Sequence, residues 1–338
     1  MAAQVIRTFG DPNVFQTADI ATPALRAGHV LIRVAATSVN PADTKIRRSG
    51  AGAPDVPAVL HGDVAGTVVA VADDVDRFRV GDAVYGCAGG VRGSGGALAD
   101  FMLADARLVA RMPRNLTFAQ AAALPLVTIT AWDGLIDRAR VNNRDSVLVF
   151  GATGGVGHIA VQLAKAAGAT VYAVVSSEEK AAVARDLGAD IIIDRRQHTI
   201  TGIIEQHTRG RGFDVVVDTV GGSVLEASLH AAALNGRVVS IMAKTATDLA
   251  PMHAKNLTLH AVMMLVPLLH GVGRERHGEM LEQAASMVES GHLRPLLDAR
   301  QFTFEQVADA HALVESGTAI GKVVLTRTPH TPAAHALD

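Results

Sequence analysis

Between residues 146 and 264 the sequence alternates short apolar runs with helix-length amphipathic stretches, and this alternation constrains the fold more than any other feature. The apolar runs are rich in β-branched residues and nearly free of polar ones, as a strand covered on both faces requires. Strands that alternate with helices in this way form a parallel, doubly wound sheet. We therefore predict six parallel strands, at residues 146–150, 170–175, 190–194, 214–218, 236–241 and 257–263.

A glycine-rich turn follows the first of these strands and precedes a helix. Its sequence, from Gly151 to Gly157, is Gly-Ala-Thr-Gly-Gly-Val-Gly. In dinucleotide-binding domains, a glycine lets the backbone approach a pyrophosphate, and the helix N-terminus offers free N–H groups to it. Ala152 stands where the usual G-x-G-x-x-G pattern has its first glycine. The placement between strand and helix nevertheless predicts a dinucleotide site at Gly154, Gly155, Val156 and Gly157.

The end of the second strand distinguishes NAD from NADP. An NAD site usually has Asp or Glu there, about 20 residues after the glycines, to bind the ribose hydroxyls. This chain has Val-Ser-Ser-Glu-Glu-Lys at 175–180, with hydroxyls and a cation in place of a strand-end acid. A basic residue, Arg195, also follows the third strand. NADP is favoured over NAD, with the alternative that these are solvated surface residues; the candidates for its phosphate are Ser176, Ser177, Lys180 and Arg195.

The flanking residues predict a second domain. Residues 1 to about 120 contain short strands separated by glycine and proline turns. After residue 270 we predict helices at 277–289 and 304–315 and a strand ending at Thr326, which we interpret as the chain returning to the first domain. The stretch 328–338 has two prolines and no periodicity, and predicts a loose tail. The predicted domains are a β-rich domain from 1–122 and 270–338 and a dinucleotide-binding domain from 123–269.

Composition excludes several classes of function. Lys plus Arg number 31 against 33 Asp plus Glu, without long blocks of one sign that would attract nucleic acid. Cys87 is the only cysteine, which excludes a disulfide framework and favours a reducing compartment. The N-terminus lacks the pattern of a secretory signal, and the most apolar stretch, 257–269, is shorter than the roughly 20 residues that span a bilayer. We expect a cytoplasmic protein that acts on a small molecule, without a membrane or nucleic-acid partner.

Six segments in order along the chain point to a known family. They are SVNPADTKIRRSG (38–50), HGDVAGTV (61–68), GDAVYG (81–86), AAALPLVTITAW (121–132), GATGGVGHIAVQLAKAAGA (151–169) and FDVVVDTVGG (213–222). Together they resemble the zinc-independent branch of the medium-chain dehydrogenase/reductase family, close to the NADPH:quinone oxidoreductases related to zeta-crystallin. The resemblance implies an α/β protein with a GroES-like β-rich catalytic domain, a Rossmann domain and a cleft between them. It also implies a homodimer or homotetramer, often paired through the last Rossmann strand.

The resemblance further implies that no zinc ion takes part. The positions that match zinc ligands of related dehydrogenases are Asn40, Gly62 and, approximately, Leu126, and none of these side chains is a usual zinc ligand. Without a Lewis acid, alcohol oxidation loses its main support. Reduction of a quinone or a conjugated C=C bond instead places negative charge on an oxygen that hydrogen-bond donors can stabilise. We expect NADP(H) without zinc, and a quinone or another α,β-unsaturated carbonyl as acceptor.

Other site residues also follow from the resemblance. Asn40, whose amide can donate, and Lys45, which stands where some quinone reductases have Tyr, are the expected catalytic residues. Two carboxylates nearby are expected to be structural: Asp43, by pairing with Lys45 or its loop, and Asp63. Lys322 either faces the cofactor phosphates or is an ordinary exposed lysine. The further expected cofactor contacts are Thr128, Thr130, Val220, Met242 and Lys322.

Two other functions remain open at the level of sequence. An enoyl-thioester reductase has the same cofactor, although the chain shows no added basic patch for a carrier phosphate and no distinctive tyrosine near Asn40. A non-catalytic NADPH-binding protein with a structural or RNA-associated role is the second alternative. Tight NADPH binding without turnover would favour it.

Overall fold

The structure is a computed structural model that describes residues 1–327, so the predicted tail at 328–338 lies outside the described residues. The described chain forms sixteen strands. They are β1 (Ala2–Ile6), β2 (Phe15–Asp19), β3 (His29–Val39), β4 (Ala58–Val59), β5 (Asp63–Val71), β6 (Ala83–Cys87), β7 (Phe101–Asp105), β8 (Val109–Arg111), β9 (Ser146–Phe150), β10 (Thr170–Val175), β11 (Ile191–Asp194), β12 (Phe213–Asp218), β13 (Ala232–Ser240), β14 (Thr258–Ala261), β15 (Phe302–Thr303) and β16 (Val323–Thr326).

Eleven α-helices lie in the same range, and α3 continues into a π-helix at Asp133–Arg138. None of the described helices is long and apolar enough to span a membrane. The helices are α1 (Pro41–Ser49), α2 (Phe118–Ala122), α3 (Pro125–Trp132), α4 (Gly155–Ala166), α5 (Glu178–Asp186), α6 (Ile200–Thr208), α7 (Ser223–Ala231), α8 (Ala250–Ala254), α9 (Val266–His270), α10 (Arg274–Glu289) and α11 (Val307–Ser316).

Strands β9 to β14 form one parallel sheet, in the order β11-β10-β9-β12-β13-β14. This is the strand order of a Rossmann domain, and it reverses direction between β9 and β12. Every residue of β9 is buried, which explains its apolar sequence. The predicted strands at 146–150 and 170–175 are confirmed at those bounds. The other four predicted strands are present with ends that differ by one to four residues, and the largest difference is at the irregular start of β13.

A second, seven-stranded sheet contains strands from both ends of the chain. Its order is β15-β16-β3-β5-β6-β8, and β7 also pairs with β3. Because β16 pairs antiparallel with β3, the chain does return to its first domain after the parallel sheet. The predicted fold class, a β-rich GroES-like domain with a Rossmann domain, is confirmed. The boundaries at residues 122 and 269 stay predictions.

The first turn of α4 packs directly against the backbone of the turn that follows β9, and glycine makes this contact possible. A Cβ on Gly157 would lie 2.0 Å from the carbonyl oxygen of Gly151, so no side chain fits there. Gly151 has a φ of 68°, which favours glycine. The turn therefore takes its left-handed conformation one residue before Ala152, and this explains why alanine is tolerated at that position. The N-terminus of α4 is fixed against the carboxyl end of β9.

We expect Gly157→Ala to lower the free energy of unfolding by about 1–3 kcal/mol, because the added methyl group must displace the backbone of the turn. Gly202→Ala is a matched control, since Gly202 also lies in the first turn of a helix and its Cβ would lie 3.4 Å from Thr199 Oγ1, an ordinary contact. Urea unfolding followed by circular dichroism measures both variants. Equal stabilities would contradict the role assigned to Gly157.

Candidate functional site

A cavity of about 470 Å³ lies between the two large sheets. One side consists of residues that follow β9, β10, β12 and β13, at the carboxyl edge where doubly wound sheets bind ligands. The other side consists of residues 39–41 and of the segment from Val314 to Val323. Nine of the predicted site residues line this cavity: Asn40, Gly154, Gly155, Val156, Ser176, Lys180, Arg195, Val220 and Lys322.

The N-terminus of α4 presents bare backbone to the cavity. Gly154 is the N-cap residue, and His158 is the first residue whose amide bonds within the helix, to Gly154 O at 3.0 Å. The amides of the three residues between them have no acceptor in a regular helix. A Cβ on Gly155 would lie 3.2 Å from Val127 Cγ1 and 3.3 Å from Lys322 Cδ, so a larger residue would fill this surface. The residues present fit a pyrophosphate.

Hydroxyl and cationic side chains lie beyond β10 and β11. Ser176, Lys180 and Arg195 line the cavity, and no acidic residue of the described chain does. Ser177 has a different position: its Oγ accepts a hydrogen bond from the Lys180 amide at 3.2 Å and caps α5. Arg196 forms an ion pair with the last residue of β11. This end of the cavity fits a 2′-phosphate better than it fits a pair of ribose hydroxyls.

Two charged side chains hold Asn40 beside the cavity. Its Nδ2 donates to Asp63 Oδ2 at 2.8 Å, and its Oδ1 accepts a hydrogen bond from Lys322 Nζ. Lys322 Nζ also donates to Val39 O at 3.1 Å. Asn40, Asp63 and Lys322 are each at most 3% exposed. The alternative that Lys322 is an ordinary exposed lysine is therefore wrong, since its ammonium group is buried against Asn40 and Asp63. Lys322 also lines the cavity, and a contact with the cofactor phosphates stays a prediction.

The carboxylate of Asp63 connects several elements. Its Oδ1 accepts from the amide of Leu126 at 2.8 Å, and its Oδ2 accepts from Ser38 Oγ at 2.7 Å, so β5, β3 and the start of α3 meet there. A flipped Asn40 amide would place oxygen against the carboxylate and NH₂ against the ammonium. The network therefore sets the orientation of the amide. One N–H of Asn40 Nδ2 is left to donate elsewhere.

Asp43 and Lys45 do not pair with each other. Asp43 Oδ2 instead accepts a hydrogen bond from the backbone N–H of Asn40 at 2.8 Å and caps α1. Burial raises the pKa of the Asp43 carboxyl to about 7. Lys45 Nζ lies 3.2 Å from Met242 Sδ, so α1 contacts the segment after β13. Lys45 and Met242 contact each other at the edge of the site and do not line the cavity.

The two predicted threonines on α3 are buried and do not line the cavity. Thr130 Oγ1 donates to Leu126 O at 2.7 Å. Thr128 Oγ1 has no hydrogen-bond partner within residues 1–327. It is Val127, between Leu126 and Thr128, that reaches the cavity. Gly157, as described above, acts in helix packing.

Sequence analysis missed the segment 314–321, which contains the last turn of α11 and the residues after it. Four of its residues line the cavity, and the amide of Gly321 donates to Thr153 O at 2.9 Å, which joins this segment to the glycine turn. The signal was present in part, since Gly317 and Gly321 both have positive φ, of 68° and 75°. No motif spacing connects these glycines to the dinucleotide turn. The missed residues are Val314, Gly317, Ala319 and Gly321.

Comparisons with known proteins show the family of this chain. The family model described as alcohol dehydrogenase GroES-like domain matches residues 26–114, and the one described as zinc-binding dehydrogenase matches 187–325. A 2-methylene-furan-3-one reductase of Solanum lycopersicum is 34% identical, over 97% of this chain and 80% of its own length. A quinone oxidoreductase of Homo sapiens is 31% identical, over 96% of this chain and 97% of its own length. The chain belongs to the quinone oxidoreductase branch of the medium-chain dehydrogenase/reductase family.

Solved structures of this family have the same fold. An alcohol dehydrogenase superfamily protein from Novosphingobium aromaticivorans matches with a TM-score of 0.92 and 42% identity. The match covers 97% of this chain and 100% of the Novosphingobium chain. A mycobacterial protein complexed with NADPH matches with a TM-score of 0.85 and 29% identity, covering 96% of this chain and 100% of that one. The family assignment therefore extends over both domains.

The family includes zinc enzymes, so the metal-ligand positions need inspection. Among residues 1–327, no group of three or more His, Cys, Asp or Glu side chains is arranged to hold a metal ion. Asn40 and Leu126, of which the first matches a zinc-ligand position and the second does so approximately, both donate hydrogen bonds to Asp63. Gly62 packs against Cys87, whose thiol is buried and whose pKa burial raises well above its usual value. The donor set does not fit a zinc ion.

We expect Lys322→Met to lower kcat by about ten-fold or more, because the Asn40 amide loses the cation that orients and polarises it. The Kd for NADPH should change far less. Lys180→Met is the matched control, with the opposite expectation: a higher Kd for NADPH and little change in kcat. Fluorescence titration and steady-state kinetics measure the two quantities. A raised Kd with normal kcat in Lys322→Met would instead place Lys322 on the cofactor phosphates.

Proposed function

We propose that this protein is an NADPH-dependent oxidoreductase that transfers hydride to a quinone or another electron-poor α,β-unsaturated carbonyl, without zinc. One observation carries the proposal. One cavity joins the glycine amides of α4 and the cationic side chains of Lys180 and Arg195 to an amide donor, Asn40, that Lys322 and Asp63 hold in place. The family membership and the NADPH complex of a related structure support the choice of cofactor.

The residues of the cavity divide the work of the reaction. NADPH held by the N-terminus of α4 would supply the hydride. As the acceptor is reduced, negative charge develops on its oxygen, and a fixed donor stabilises that charge. Asn40 offers the remaining N–H of Nδ2, and Asp63 and Lys322 keep it oriented. Much of the remaining lining is apolar, with valines at 39, 127, 156, 220 and 314, which suits a flat, poorly hydrated acceptor.

The test is to follow NADPH and NADH oxidation side by side against quinones, enones and an enoyl thioester. We expect turnover of quinones or enones with NADPH, and no loss of activity after treatment with EDTA. A clear preference for the enoyl thioester would favour the enoyl-thioester reductase. Tight NADPH binding without turnover of any acceptor would favour a non-catalytic role.

Arg195 and Arg196 provide a test of the cofactor preference. We expect Arg195→Met to raise the KM for NADPH by about ten-fold or more, because a charge-assisted contact to the 2′-phosphate is lost, and to leave the KM for NADH nearly unchanged. Arg196→Met is the matched control, because the Arg196 side chain is already paired with Asp194. Equal effects of Arg195→Met on both cofactors would contradict the proposal that the site is specific for NADPH.

We also propose that the protein acts in the cytoplasm as a homodimer or homotetramer, paired through β14. This strand ends the parallel sheet, so one of its edges has no strand partner in the described residues. Two apolar side chains beside it, Met263 and Val266, are 57% and 44% exposed. The cytoplasm suits a chain whose single cysteine is a free thiol.

We expect Met263→Glu to shift the protein toward the monomer, because a carboxylate would be buried between two copies at the β14 edge. Leu234→Glu is the control, since Leu234 is 72% exposed but lies before the regular part of β13. Size-exclusion chromatography with light scattering measures the mass. A wild-type monomer, or an unchanged oligomer in Met263→Glu, would contradict this interface.

A further inference from the structure

Helix α1 carries three basic residues, and one of them has no carboxylate partner among residues 1–327. Arg47 and Arg48 both pair with Glu315, at 2.6 Å and 2.9 Å. Lys45 forms no ion pair within the described chain, and its ammonium donates to the Met242 sulfur. Lys45 lies four residues after Pro41, which lines the cavity, so both residues are on the same face of the helix. Lys45 therefore lies along the wall that continues from the cavity.

A second cation, Lys244, lies on the segment after β13 that Lys45 contacts. Lys244 is exposed and follows Met242 by two residues, and it too forms no ion pair within residues 1–327. Met242 packs against the turn after β12, because a Cβ on Gly221 would lie 2.6 Å from the Met242 Cβ. Val220, the residue directly before Gly221, lines the cavity. Burial and the charge of Lys244 together lower the pKa of Lys45.

The position of this lysine pair, Lys45 and Lys244, separates it from the cofactor phosphates. The cations suited to the 2′-phosphate, Lys180 and Arg195, follow β10 and β11, whereas Lys244 follows β13. In the sheet order, β10 and β11 lie on one side of β9, and β12 and β13 lie on the other. The lysine pair is thus at the opposite end of the site. Two cations without a counter-ion repel each other, and an anion between them would remove that repulsion.

We propose that Lys45 and Lys244 form an anion-binding subsite for the acceptor, so that the preferred substrate is a quinone or enone with a negatively charged substituent such as a carboxylate or sulfonate. The inference rests on the proposed reductase function and specifies its substrate class. The acidic substituent lies between the two lysines, while the carbonyl to be reduced lies toward Asn40. Neutral acceptors of the same size bind through the apolar lining and Asn40 alone.

The test compares 1,4-naphthoquinone with its 2-sulfonate in wild type, Lys244→Gln and Arg48→Gln. Because the sulfonate also changes the reduction potential, the measured quantity is the ratio of kcat/KM for the sulfonated and neutral quinones. We expect Lys244→Gln to lower this ratio about five-fold, as loss of one partly exposed charge contact predicts. Arg48→Gln removes a charge from α1 that is already paired, so the ratio should stay near the wild-type value. High salt should lower the wild-type ratio, since salt screens exposed charges.

A binding measurement separates the subsite from the catalytic proposal. Naphthalene-2-sulfonate cannot accept a hydride, and calorimetric titration of the NADP⁺-saturated protein with it should show weaker binding in Lys244→Gln than in wild type. Binding of uncharged 2-naphthol should not depend on Lys244. Unchanged kinetic ratio and unchanged sulfonate binding in Lys244→Gln would overturn the subsite, whatever the activity. Lys244-dependent sulfonate binding in a protein that reduces neither quinone would support the subsite and overturn the proposed function.

Discussion

The buried carboxylate of Asp63 is the constraint on which the architecture of the site depends. A buried, unpaired carboxylate is costly, and here four groups compensate it: the Asn40 amide, the Ser38 hydroxyl, the Leu126 backbone and the Lys322 ammonium. Two of these donors stand at positions that match zinc ligands in related dehydrogenases. In this chain those positions converge on a carboxylate, and the positive charge beside it comes from a lysine.

The parallel sheet could be predicted well from sequence because its central strands are covered on both faces. Such strands are uninterrupted apolar runs, and β9 and β10 accordingly have the predicted bounds. The start of β13 could not be predicted, because its pairing with β12 is irregular there. The cofactor end of the cavity could also be predicted from sequence. Each of its residues Ser176, Lys180 and Arg195 follows a predicted parallel strand, and the carboxyl ends of such strands meet at one edge of the sheet.

The rest of the site depends on contacts between residues that are far apart in sequence. Lys322 and Asn40 are separated by 282 positions, and only the pairing of β16 with β3 brings them together. A lysine at the start of a strand has no local pattern that reveals a buried role. The same is true of the segment after α11, whose backbone meets the glycine turn at Thr153. The family resemblance predicted that Thr128 and Thr130 of α3 contact the cofactor. In the structure it is Val127 of this helix that lines the cavity.

The position of β16 between β15 and β3 also affects the order in which the two sheets can fold during synthesis. The strands of the parallel sheet come from one continuous stretch, residues 146–261, so that sheet can assemble on the ribosome while later residues are still being translated. The seven-stranded sheet lacks an interior strand until residues 323–326 emerge. During that interval the Lys322 ammonium cannot yet lie beside Asp63 or hold the side-chain amide of Asn40. In a nascent chain, the parallel sheet of the Rossmann domain can therefore form before the contacts that orient the Asn40 side chain.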